Sequence, residues 1–80
     1  MAMPTKTELV TSAAQFGLFP HILSDETLVE LPGGRERARV WHDTGEWVCA
    51  GPGDLDPRTF HADHRAAFRE ARMRLRLGVL

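Results

Sequence analysis

Apolar and polar positions switch period twice along this chain, from helical to alternating and back to helical. Thr5-Lys6-Thr7-Glu8 has the form of a capping box, with threonine at the N-cap and glutamate at the third helical position. Leu9, Val10, Ala13, Ala14 and Phe16 follow at helical spacing, and Gly17 with Pro20 predicts where that helix stops. Leu18, Phe19, Ile22 and Leu23 then read as an apolar connector lying against the core.

From Glu26 the pattern alternates. It predicts strands over Glu26–Leu31, Arg35–Asp43 and Glu46–Ala50, with turns at Pro32-Gly33-Gly34 and Thr44-Gly45. Two-residue loops would pair Leu31 with Glu36, Val29 with Ala38, Thr27 with Val40, Val40 with Cys49 and His42 with Trp47. One sheet face then holds Thr27, Val29, Leu31, Ala38, Val40, His42, Trp47 and Cys49, and is the better core. The other holds Glu26, Leu28, Glu30, Arg37, Arg39, Trp41, Val48 and Ala50. A slip of one residue would exchange the faces of a strand.

Gly51-Pro52-Gly53 breaks the sheet, and Asp56-Pro57 reads as the N-cap and first position of a second helix. That helix is expected to run to about Leu77 and end at Gly78. Its apolar arc of Phe60, His64, Ala67, Phe68, Ala71 and Leu75 should lie on the sheet. The expectation is an α+β fold, α-β-β-β-α: a helix, a three-stranded antiparallel meander and a C-terminal helix packed on one sheet face, in one domain spanning residues 1–80. The order of elements resembles that of double-stranded-RNA-binding domains in topology alone. The arginines here run the length of the last helix instead of clustering at its start, and no RNA-binding residue carries over.

Those arginines change the picture most. Arg58, Arg65, Arg69, Arg72 and Arg76 fall within an arc of roughly 60° on the expected helix. Guanidinium suits carboxylates, phosphates and aromatic faces, so the stripe predicts an anionic partner. Net charge is only −1, which hides an asymmetry: residues 1–57 carry four basic residues against nine acids, a balance of −5, and residues 58–80 carry six against two, a balance of +4. A near-neutral whole argues against generic nucleic-acid affinity and for a protein with an acidic surface as partner. A narrower strip of Ala62, Ala66, Met73 and Leu77 beyond the arginines offers a homodimer contact.

Trp41 beside Arg37 and Arg39 is a second candidate surface, since tryptophan and arginine dominate interface hot spots. A base stacked on Trp41 is its nucleic-acid version, and ordinary packing of an arginine stem over the ring is its structural version. His61 and His64 lie roughly 60° apart on the expected helix, and Cys49 and His42 are neighbours in the register. No further ligand pair of zinc-site spacing accompanies them, so no metal is expected.

Catalysis has less support still. The lone Cys49 faces the core, LPGG and GPGD are turn chemistry, and 80 residues leave little room for a substrate pocket. One cysteine makes no intramolecular disulfide, and no apolar run reaches the ~20 residues of a membrane span. The expectation is a soluble, cytoplasmic, cofactor-free interaction protein that regulates or inhibits another macromolecule, in the manner of phage or mobile-element inhibitors. A nucleic-acid-binding module using the same helix on phosphates, and a homodimeric structural subunit, are the alternatives.

Overall fold

The capping box forms as the sequence predicts. Glu8 N–H donates to Thr5 Oγ1 at 3.1 Å, and Thr5 N–H donates to Glu8 Oε1 at 3.2 Å. This starts helix α1 (Lys6–Gln15) in a computed structural model that describes residues 3–78. At the other end Gly17 N–H donates to the Ala14 carbonyl and Leu18 N–H to the Ala13 carbonyl, a Schellman closure around Gly17 at φ +70°. The closure turns the chain so that Leu18 is buried.

Five strands follow, two more than expected: β1 (Phe19–Ile22), β2 (Thr27–Glu30), β3 (Ala38–Asp43), β4 (Glu46–Ala50) and β5 (Thr59–His61). They form one antiparallel sheet in the order β1-β2-β3-β4-β5, and helix α2 (His64–Gly78) closes the chain. The architecture is α+β, with an N-terminal helix, a five-stranded antiparallel sheet and a C-terminal helix packed on it. The extra strands remove the topological likeness to double-stranded-RNA-binding domains.

The expected central register is present. Thr27 faces Val40, Val29 faces Ala38, Val40 faces Cys49 and His42 faces Trp47. Thr44 (φ 51°) and Gly45 (φ 81°) make the two-residue turn with both central residues left-handed, the geometry that matches strand twist. The expected Leu31–Glu36 pair does not form. Pro32-Gly33 makes a turn closed by Gly34 N–H to the Leu31 carbonyl at 2.8 Å, so β2 ends at Glu30 and β3 begins only at Ala38.

Two corrections concern the added strands. Residues 19–22 are not a connector but an edge strand, with Phe19 opposite Glu30 and Ile22 opposite Thr27. Pro20 is compatible with that place because an edge strand can present a position without an N–H to solvent. Likewise, Asp56-Pro57 does not start α2. Asp56 accepts from Gly53 N–H at 2.8 Å within a turn, and Thr59–His61 pairs with β4. The N-cap is Asp63, which accepts from Ala66 N–H at 2.8 Å. Thr59 and Phe60 are strand-favouring residues, and the free edge of β4 gives them a ladder that an isolated helix turn would not.

The inner sheet face is the core. Val29, Ala38, Val40, Trp47 and Cys49 meet Ala67, Phe68, Ala71 and Leu75 of α2 and Ala13 of α1. Each fully buried large side chain contributes about 1.5–3 kcal/mol, and Phe68 is the largest. Phe60 leaves the expected helical arc for β5, where it is 60% exposed. His64 stays at the margin of the core. It shares a 2.9 Å hydrogen bond with Ser12 Oγ, joining the two helices, and packs edge-on against Trp47 and Phe68.

Candidate functional site

Four of the five stripe arginines are on α2. Arg65, Arg69 and Arg76 are exposed and Arg72 is half-buried. None of the four has a carboxylate within 4.0 Å among the described residues. Their guanidinium groups are therefore not answered by acids of the described fold, a matter the sequence left open. Ala66, Met73 and Leu77 border them on the same exposed side, with Met73 at 51% and Leu77 at 61% exposure. Arg69, Arg72, Met73, Arg76 and Leu77 together line a shallow open groove. Ala62 is not part of this strip, because it lies in the bend before α2 begins.

Arg58 is the fifth, and it is not on the helix. It lies one residue before β5, with its guanidinium carbon 5.0 Å from the centroid of the Trp41 ring. Arg39 approaches the same ring at 5.2 Å. The stripe therefore splits in two: Arg65, Arg69, Arg72 and Arg76 remain on α2, and Arg58 joins Arg37, Arg39 and Trp41 on the outer sheet face. The cause is β5, which takes up Thr59–His61, three residues that were expected to be helical.

Arg37 and Arg39 differ from the four stripe arginines on α2 in having carboxylate partners. Arg37 Nε donates to Glu30 Oε2 at 3.4 Å, and Arg39 lies 3.6 Å from Glu26. Glu30 also bonds His21 Nε2 at 2.8 Å. The bond to His21, reinforced by Arg37, holds the Glu30 carboxyl below its ordinary range against a smaller opposing effect of burial. Trp41 lies half-buried among these groups.

The chain matches no protein-family model, no curated protein and no solved structure.

The remaining candidates have structural partners. His61 bonds Thr59 Oγ1 at 2.8 Å, and His64 bonds Ser12, so the two histidines serve different neighbours. Among the described residues no group of three or more His, Cys, Asp or Glu is placed to hold a metal ion. Cys49 is buried, and burial is the main cause pushing its thiol up to about 11, so no thiolate forms at neutral pH. Among the described residues no helix is long and apolar enough to cross a membrane.

Sequence reasoning missed the role of Arg74. Its side chain is only 10% exposed. Nε donates to Glu70 at 2.8 Å, Nη1 to the Gly51 carbonyl at 2.9 Å, and Nη2 to the Pro57 carbonyl at 2.6 Å and Thr59 Oγ1 at 3.1 Å. The Glu70–Arg74 pair was readable from its i,i+4 spacing. The loop carbonyls were not, since they come into reach only once β4 and β5 are paired.

Proposed function

We propose that this chain is a small, soluble, cytoplasmic interaction protein, not an enzyme, which binds another macromolecule through the exposed face of α2 and so regulates or inhibits it. The partner is a protein with an acidic surface. The observation behind this reading is the set of four α2 arginines, Arg65, Arg69 and Arg76 exposed and Arg72 half-buried, with no carboxylate within 4.0 Å among the described residues. Exposed Met73 and Leu77 beside them supply apolar area that a protein partner would cover and a phosphate backbone would not. A homodimer through Ala66, Met73 and Leu77 has less support, because a two-fold contact there would bring two arginine sets together.

The test is capture from a host lysate with the wild type and with an Arg65→Glu/Arg69→Glu/Arg72→Glu variant, both checked for folding. The expected result is a protein retained by the wild type and lost by the variant. If both recover the same proteins, α2 is not the interface. Retention of mixed nucleic acid at low salt that vanishes in the variant would replace the protein partner with phosphates.

A further inference from the structure

Helix α2 has two opposed faces, and the fold uses only one of them. Ala67, Phe68, Ala71 and Leu75 are buried against the sheet. At about 100° per residue, Met73 lies within roughly 10° of the direction opposite the centre of that buried arc. Half-buried Ala66 and exposed Leu77 lie within roughly 40° of Met73. Arg65, Arg69, Arg72 and Arg76 run along one flank, centred roughly 70° from Met73. Glu70 is on the other flank, where Arg74 Nε already answers it at 2.8 Å. The outward face of α2 is thus an apolar spine with a cationic row beside it.

Taking α2 as a protein-binding face, the reading on which this rests, we propose that it docks an acidic amphipathic helix of its partner. Apolar residues of that helix cover Ala66, Met73 and Leu77, and its carboxylates meet the arginine row. The spacing favours a helix over an extended acidic segment. Arginines at intervals of four, three and four residues rise about 6, 4.5 and 6 Å, a total of about 16 Å, and stay in line to within about 20°. Carboxylates at the same intervals on a second helix rise by the same steps. An extended chain presents one side about every 6.7 Å, so three steps reach about 20 Å and the last carboxylate is out of step. Covering Met73 and Leu77 also needs an apolar stripe beside the acids, which an amphipathic helix has and a phosphate backbone lacks. A second copy of α2 would bring arginine to arginine. One helix face is small beside the about 800 Å² per partner of a standard interface, so the isolated contact is expected to be of micromolar strength.

The test titrates the full chain at low salt with three synthetic peptides of about 18 residues, followed by amide NMR and circular dichroism. The first carries glutamates at intervals of four, three and four with leucines beside them at helical spacing. The second is the same peptide with a central proline, which breaks the helix. The third is oligoglutamate. The expected result is micromolar binding of the first peptide, with a gain of helix and with amide shifts confined to α2. The other two should bind about tenfold more weakly. Met73→Ala should weaken binding of the first peptide about fivefold, and Arg69→Glu/Arg72→Glu about tenfold or more. Both variants change side chains outside the core, and their circular dichroism confirms the fold.

Equal binding of the proline peptide or of oligoglutamate overturns the proposal while leaving an acidic partner for α2. Absence of binding by the helical peptide also overturns it, and the lysate capture then decides separately whether α2 binds a protein at all. A wild-type affinity in Met73→Ala removes the apolar spine and the proposal with it. Shifts on α2 that follow protein concentration without peptide would give this face to a second copy. Shifts there that mixed nucleic acid produces and the peptide does not would give it to phosphates. Either result overturns the helix.

Discussion

Arg74 Nη1 donates to the Gly51 carbonyl at 2.9 Å, joining α2 to the end of β4 across 23 residues of chain. With its bond to the Pro57 carbonyl, this ties both ends of the 51–58 segment to one side chain. The clamp fixes where β5 starts, and so where Arg58 and Phe60 are presented. Arginines that composition alone would group together thus have three separate roles: four on α2 meet solvent, Arg58 meets Trp41, and Arg74 organises the loop.

Arg74→Ala is expected to destabilise the fold by about 2–4 kcal/mol, since it leaves the part-buried Gly51 carbonyl and the Glu70 carboxylate without their donor. Arg74→Lys should recover only part, because a single ammonium lacks the planar fork. Urea unfolding gives the values. Arg69→Ala, on the solvent side, should stay within about 0.5 kcal/mol, and an Arg74→Ala value that small would remove the clamp's structural role.

Asp63→Ala should cost about 1 kcal/mol by removing the acceptor for Ala66 N–H at the start of α2. Asp56→Ala should leave helical content unchanged, because Asp56 closes a turn and caps no helix. Circular dichroism at the helical band during thermal melting separates the two. A loss of helix in Asp56→Ala alone would return the helix start to Pro57.

Glu30 links acid sensitivity to the outer face. Its folded pKa is depressed by His21 first and Arg37 next, so its contribution is present above the ordinary glutamate value of 4.5 and is lost as pH falls through the folded value. Glu30→Gln should therefore flatten the acid limb of a melting-temperature profile between neutral and acid pH. A profile parallel to the wild type would mean that the pairs to His21 and Arg37 add nothing measurable.

Cys49 has the opposite linkage. Burial raises its thiol from an ordinary 9.0 to about 11, with Arg74 opposing and Glu70 adding a little, so its contribution is complete below 9.0 and fades as pH rises toward 11. Cys49→Ala should blunt the alkaline limb of the same profile. At pH near 8 a thiol reagent should label the native protein only as fast as it opens. Labelling as rapid as in urea would place the thiol at the surface.

The central hairpins were legible because period-two alternation and a Thr-Gly turn leave one register that puts Val29, Val40, Trp47 and Cys49 on one face. The capping box was legible because its two hydrogen bonds are local. β1 was hidden by Pro20, a residue that ordinarily ends a ladder and is accommodated at an edge. β5 was hidden by a cap signal, Asp56-Pro57, that works equally well in a turn. The error carried into the candidate site: a helix extended over residues 58–63 places Arg58 on the wrong surface, whereas Arg65, Arg69, Arg72 and Arg76 keep their places because helical phase holds from His64 onward.

Local chemistry sets the first helix, the three central strands, the inner face of the sheet and the solvent-facing stripe on α2. Each follows from the period of a few neighbouring residues and from burial of the better apolar face. The two outer strands, the true start of α2, the pairing of Arg58 with Trp41 and the clamp of Arg74 are set by partners distant in sequence. A weak segment such as Thr59–His61 takes its structure from the unsatisfied edge of β4 beside it, because the ladder it gains there outweighs its own slight preference.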